Sequence, residues 1–173
     1  NMHKAIFFDR DGTLIKTNIS SRNTPISIKT KKEIKIYKFV KTILRKLKKK
    51  YLIFVITNQP DVGRKKNTKK NVDEINKFLL KKLPITKIYT CYCSNNNCKY
   101  KKPRPGMIFK ASKMYNIDLK KSYVVGDRWK DINAGYAAKC NTIFIDKKYN
   151  EKIKKKPNYI LNNFKEISKV FKF

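Results

Sequence analysis

Short apolar runs alternate along this chain with stretches of helical periodicity. Residues 4–8, 51–56, 88–92, 122–125 and 142–145 are rich in Ile, Val, Phe, Tyr and Thr, and read as short buried strands. Between them, residues 29–49 carry Ile34, Ile36, Tyr37, Val40, Ile43, Leu44 and Leu47, mostly at helical spacing. Residues 68–83 place Val72, Ile75, Phe78 and Leu79 on one face, with Pro84 just past the end. Residues 105–115, 129–138 and 163–170 read as further helices, the first of them with proline near its first turn. Residues 18–28 read as a polar loop.

Strands separated by helices predict a parallel sheet covered on both faces. The expected fold is therefore α/β, a Rossmann-like three-layer sandwich with a central parallel sheet. No internal repeat or long linker interrupts the pattern, so residues 2–173 are expected to form one domain. Asn1 precedes Met2, which reads as the natural start.

Charge adds a second layer. The 173 residues hold 44 Lys+Arg and 12 Asp+Glu, a formal net charge of +32. Such an excess raises nucleic acid or an anionic membrane as partners and draws in phosphorylated substrates. The lysines are spread over nearly every helix and loop, which favours compositional drift over a dedicated nucleic-acid surface. Nucleic acid stays open as a less favoured partner. No apolar stretch approaches the ~20 residues needed to span a bilayer. The expected setting is a cytoplasmic monomer, because a large like charge opposes self-association. His3 is the only histidine, which argues against histidine-dependent triads.

Against this basic background the strand ends are conspicuous. In open parallel sheets ligands bind beyond the carboxyl ends of the strands. Strand 4–8 runs into Asp9 and Asp11, strand 51–56 into Thr57-Asn58-Gln59, and strand 122–125 into Gly126-Asp127, with Asp131 one helical turn on. Lys101 and Lys102 precede the helix that feeds the last of these. Phosphate monoesters resist nucleophiles because their own charge repels them, and Mg²⁺ held by carboxylates offsets that charge. One carboxylate can then attack phosphorus while its neighbour two residues on handles protons. Thr57 and Asn58 can donate to phosphoryl oxygens, and a lysine can neutralise the transferring group.

The ordered set Asp9-Arg-Asp-Gly-Thr13, Ile56-Thr-Asn-Gln59, Lys101-Lys-Pro-Arg-Pro-Gly-Met107 and Val125-Gly-Asp-Arg-Trp-Lys-Asp131 resembles the haloacid dehalogenase superfamily. Within it, the chain is similar to the capless phosphatases that include the heptose bisphosphate and histidinol-phosphate enzymes. The resemblance covers residues 4–146. It implies Asp9 as nucleophile, Asp11 as general acid/base and Lys102 as the lysine beside the nucleophile. It implies Mg²⁺ held by Asp9, the backbone carbonyl of Asp11 and Asp127, with Asp131 in support. Thr57, Asn58, Gln59, Lys101 and Arg128 would bind substrate, a small phosphorylated metabolite such as a sugar phosphate. Nucleic-acid 3′-phosphatases are also found among the capless relatives.

The same relatives carry a zinc loop of the form Cys-x-His, a spacer, then Cys-x-Cys. This chain has Cys91-Tyr-Cys93, a four-residue spacer and Cys98-Lys-Tyr100. The resemblance implies Cys91, Cys93 and Cys98 as candidate ligands of a structural Zn²⁺ in the loop 91–104, the alternative being a decayed zinc loop that leaves free thiols. Cys93 stands in place of the histidine, and Tyr100 stands where the fourth ligand belongs. Cys140 lies before a strand and is expected to be a buried small apolar residue.

Overall fold

The computed structural model describes residues 1–173. The first strand, β1 (Ala5–Phe8), is buried at every position. Two short strands, β2 (Asn18–Ile19) and β3 (Pro25–Ile26), follow as an antiparallel pair. Then come α1 (Val40–Leu47), β4 (Leu52–Asn58), α2 (Pro60–Gly63), α3 (Lys69–Lys82) and β5 (Lys87–Cys91). The second half runs α4 (Gly106–Tyr115), β6 (Tyr123–Gly126), α5 (Trp129–Ala137), β7 (Asn141–Ile145), β8 (Tyr159–Leu161) and α6 (Ile167–Phe171).

The six long-range strands form one sheet in the order β5-β4-β1-β6-β7-β8, and every pairing is parallel. Side chains alternate across β1. Ile6 and Phe8 join a core with Val40, Leu44 and Leu47 of α1 and Ile75 and Leu79 of α3. Ala5 and Phe7 join a second core with Met107, Ile108 and Ala111 of α4 and Ala134 of α5. Helices therefore cover both faces, which gives the three-layer α/β sandwich, with no large cap attached. Burying both faces of β1 explains its unbroken apolar reading. Phe7 stacks on Phe54 at 5.3 Å between centroids, an arrangement that adds about 0.5–1.5 kcal/mol beyond area burial.

The expected helix over 29–49 is shorter than its periodicity implies. Lys31–Glu33 forms only a 3₁₀ turn, and the α-helix starts at Val40. The Glu33 carboxylate accepts from the backbone N–H of Thr30 at 2.9 Å and of Lys29 at 3.0 Å. Downstream, Lys35 O accepts from Lys16 N, and Tyr37 N donates to Leu14 O. Backbone groups committed to residues 14–16 cannot also close helical turns. Phe39 then adopts φ 73°, which breaks the helical run just before α1. The loop 18–28 is a small hairpin, and β8 is an edge strand that the apolar pattern did not reveal. The final helix begins as a 3₁₀ turn, with Asn163 capping Glu166 N at 3.2 Å.

Candidate active site

Parallel pairing aligns the strands that matter. Phe8 lies opposite Val55 and Val125, so β1, β4 and β6 end together. β1 lies between the two halves of the sheet, where the chain switches from building on one side to the other. That switch point is where open sheets leave a crevice. Asp9 leaves β1 with its N–H donating to Val125 O at 2.9 Å. Gly12 turns the chain at φ 85°, and a Cβ there would lie 2.0 Å from Asp127 Oδ2. Gly126 is equally constrained, since its Cβ would lie 2.2 Å from Asp131 Oδ2.

Asp9, Asp127 and Asp131 are all buried, and one oxygen from each lies within 4.8 Å of the others. Lys102 is the buried cation among them. Its Nζ donates to Asp9 Oδ1 at 2.8 Å, to Asp131 Oδ1 at 2.8 Å and to Ile56 O at 2.7 Å. All three ammonium protons have acceptors, so the head is fixed. Burial pushes Asp9 up, but the Lys102 charge and the hydrogen bonds the carboxylate receives together outweigh it and hold the carboxyl below its usual range. Burial and the neighbouring Asp9 charge push Asp131 up to about 6. Asp127 is pushed well up by burial and by both other carboxylates. Lys102 is pushed up because the two carboxylates outweigh its burial.

Asp11 stands beside this cluster. Its Oδ2 accepts from Gln59 Nε2 at 2.9 Å and from Arg10 Nε at 3.1 Å, with Arg10 Nη2 at 3.0 Å. Arg10 is fully buried and continues through Nη1 to Asn76 Oδ1 at 3.0 Å. Asp11 Oδ1 is buried with no hydrogen-bond partner. Three hard carboxylates crowd together around one lysine that bonds only two of them, Asp9 and Asp131. That donor set fits a divalent cation such as Mg²⁺, whose charge would offset the crowding.

The expected substrate-binding residues divide in two. Asn58, Gln59, Lys101 and Arg128 line a cavity of 280 Å³ together with Asp9 and Asp11. Thr57 is buried below it, its hydroxyl accepting from Gln59 Nε2 at 2.8 Å. The Asn58 amide clamps the lysine loop, donating to Lys102 O at 2.9 Å and accepting from Lys102 N at 3.0 Å. Lys101 Nζ turns toward the cysteine loop, donating to Ser94 O and Asn96 Oδ1, both at 2.9 Å. Arg128 forms a two-pronged pair with Glu151, through Nε at 2.9 Å and Nη2 at 2.7 Å. Arg64 and Lys130 add to the basic rim, and residues 25–28 of the small hairpin and its exit form the opposite wall. An acidic floor under a basic rim suits an anion carried to a cation.

Several partners escaped the sequence reading: Arg10, Asn76, Tyr149 and Glu151. Arg10 carried a usable signal, because an arginine directly after a buried strand must find an acceptor. Tyr149 and Glu151 lie in an irregular segment, and their spacing carried none.

The thiols of Cys91, Cys93 and Cys98 also lie within 4.8 Å of one another. Cys91 and Cys98 approach to 3.7 Å. Tyr100 packs with Cys98 against the second core. Cys140 is buried, and burial pushes its thiol up to about 12.

An acidic floor at the switch point of a parallel sheet, reached without a large cap, defines a phosphoric monoester hydrolase of the haloacid dehalogenase type. Residues 4–164 match the model of the polynucleotide kinase 3 phosphatase family, and the chain belongs to that family. It is 31% identical over 99% of its length to D-glycero-beta-D-manno-heptose-1,7-bisphosphate 7-phosphatase of Pasteurella multocida, 98% of which is covered. It is 29% identical over 98% of its length to D-glycero-alpha-D-manno-heptose-1,7-bisphosphate 7-phosphatase of Campylobacter jejuni, with 95% covered. Among solved structures, D,D-heptose 1.7-bisphosphate phosphatase from B. bronchiseptica, complexed with magnesium and phosphate, superposes with TM-score 0.80 at 19% identity over 97% of each chain. No helix is long and apolar enough to cross a membrane.

Proposed function

We infer that this chain is a Mg²⁺-dependent phosphatase that removes the 7-phosphate of a heptose 1,7-bisphosphate through a phospho-aspartate. The observation that carries the chemistry is Lys102, buried and hydrogen-bonded at once to Asp9 and Asp131. A lysine so placed keeps Asp9 ionised and ready to attack. Asp9, the Asp11 backbone carbonyl and Asp127 would hold Mg²⁺, with Asp131 in support, and the ion would neutralise phosphoryl charge. The relatives support the sugar substrate, and the basic rim suits a bisphosphate whose second anion stays outside the reacting centre.

The reaction runs in two halves. An Asp9 carboxylate oxygen bonds to phosphorus, the ester P–O bond breaks, and Asp11 gives its proton to the departing sugar oxygen. Water then attacks the same phosphorus and passes a proton to Asp11. The P–O bond to Asp9 breaks and inorganic phosphate leaves. Lys102 compensates charge throughout, and Gln59 with Arg10 aims Asp11. Asn58 holds the loop that carries Lys102.

The fold reading extends to a single functional domain, and four free thiols suit a reducing cytoplasm. Cys91, Cys93 and Cys98 present three of the four ligands of a structural Zn²⁺, whose role would be to hold the loop below Lys101. Metal content of the protein purified without chelator tests this directly. Near one zinc per chain supports it, and none removes it.

Asp9→Asn tests the nucleophile. It should abolish release of inorganic phosphate from heptose 1,7-bisphosphate and also from a generic aryl phosphate. Turnover at the wild-type rate would sink the phospho-aspartate. A panel of heptose bisphosphate, histidinol phosphate and a 3′-phosphorylated oligonucleotide decides the substrate. A preference for the oligonucleotide, weakening steeply with salt, would move the assignment to nucleic acid.

A further inference from the structure

Between β7 and β8 the chain passes through an irregular segment, and residues 147–151 of it reach into the site as a strap. Tyr149 Oη donates to Asp127 Oδ2 at 2.7 Å. Thr13 Oγ1 lies 3.2 Å from the other oxygen, Oδ1, so each carboxylate oxygen has its own hydroxyl donor. Two residues on, Glu151 takes the Arg128 guanidinium with Oε1 and the Trp129 N–H with Oε2 at 3.0 Å. One five-residue stretch thus grips Asp127 and the start of α5, the helix that carries Asp131.

The strap is itself held. Asn150 N donates to Asn23 O at 2.8 Å, and Asn23 Nδ2 donates to Lys148 O at 2.7 Å, which ties it to the turn between β2 and β3. Lys147 Nζ sits 4.1 Å over the Tyr37 ring. Gly12 shows how closely the phenol is fitted. A Cβ there would lie 2.8 Å from the Tyr149 hydroxyl as well as against Asp127. Burial and the Asp127 charge hold the phenol far above its usual range, so it remains a donor.

We propose that Tyr149 is a positioning residue for the carboxylate of Asp127, and that the strap 147–151 thereby sets the affinity of the site for a divalent cation. The proposal rests on the reading of Asp9, Asp11 and Asp127 as Mg²⁺ ligands. A carboxylate crowded by two others would swing away from them if unrestrained. Two hydroxyl donors, one per oxygen, fix its plane before the ion arrives. Partners of this kind orient ligands that they do not themselves replace.

Calorimetric titration of MgCl₂ into the chelator-treated chain of residues 1–173 tests this, using wild type, Tyr149→Phe and Asn23→Ala. Tyr149→Phe deletes only the hydroxyl, and should weaken Mg²⁺ binding about 10-fold, at the low end for such partners. Its turnover deficit should shrink as Mg²⁺ is raised, so the loss appears in the Mg²⁺ requirement. Asn23→Ala loosens the strap without touching Asp127, and should shift Mg²⁺ affinity in the same direction by less. If Tyr149→Phe lowers the melting point of the metal-free chain, the Asn23→Ala titration decides. Wild-type Mg²⁺ affinity in that variant, or in a stably folded Tyr149→Phe, overturns the positioning role and leaves the metal reading intact. A wild-type chain that binds no Mg²⁺ overturns both.

Discussion

The carboxylate cluster and the cysteine cluster have the same span, with ligand atoms within 4.8 Å in each, and opposite economies. Asp9, Asp127 and Asp131 are all buried, and their mutual repulsion is countered by one lysine. Cys91 is buried, Cys98 half-buried and Cys93 exposed. Neutral thiols pack as small apolar groups, and Cys91 and Cys98 adjoin the second core accordingly. Gathering thiols needs no compensation. Gathering buried carboxylates does, because each burial disfavours the charged form and each neighbour adds to the penalty. Proximity alone is therefore weak evidence for a metal among cysteines and strong evidence for a charged ligand among aspartates.

The sharpest way to break this contrast is to remove the lysine. Lys102→Met should lower unfolding free energy by about 3–5 kcal/mol, the usual effect of leaving a buried charge without its partner. Urea denaturation at neutral pH measures it. The pH dependence of the wild type sharpens the point. Asp131 titrates at about 6 in the fold and near ~3.9 when unfolded. Between those values the folded state binds more protons, so stability contributed by Asp131 falls as pH rises through that window. Asp9 has the opposite sign: its depressed value gives stability above the unfolded value that is lost as pH falls through the folded one. In chelator, Asp131→Asn should flatten the decline between about pH 4 and 6. In wild type, Mg²⁺ should reduce the same decline by offsetting the repulsion. A decline unchanged in both cases would remove Asp131 from the cluster's charge balance.

The two clusters also differ in how far the sequence revealed them. Asp9, Asp11 and Asp127 stood at strand ends, where period and topology alone direct attention, with Asp131 one helical turn on; Lys102, in the loop before α4, was legible mainly through the family resemblance, and the fold brings them together. Asn58 and Lys101 were legible as polar residues near the site, but not as clamps. Their hydrogen bonds go to backbone 44 and 7 positions away, and a side chain's choice between ligand and loop is set by the fold. Residues 34–37 showed a helical period and adopted an extended course, because the segment after β1 offered backbone partners. Tyr149 and Glu151 were invisible for a related reason. The strap has no period, so nothing in its order marks which side chains turn inward.

Lys101 joins the two regions and offers the next test. Its ammonium, almost fully buried, fastens Ser94 O and Asn96 Oδ1 of the cysteine loop. Lys101→Met should cost about 1.5–3 kcal/mol, as for loss of a hydrogen bond to a charged group. Hydrogen exchange should locate the loss in residues 91–104, with the exchange of β1 and β6 little changed. If β1 loosened instead, the loop would be part of the floor of the site and the division into two regions would fail.

The smallest effect belongs to Cys93. It is exposed and lies two positions past the end of β5, between Tyr92 and Ser94. In metal-free protein, Cys93→Ser removes no buried contact and should change stability by no more than about 0.5 kcal/mol, the range of ordinary surface substitutions. In protein purified with zinc present, the same change would remove one of the three proposed thiolate ligands, and the metal content should fall. The difference between these two measurements separates the energetics of the loop from those of its metal. Thermal melts of both preparations, with and without a zinc chelator, provide it. Equal melting points in all four cases would leave the thiols as packing groups, while a chelator-sensitive wild type beside an insensitive Cys93→Ser would make them a metal centre.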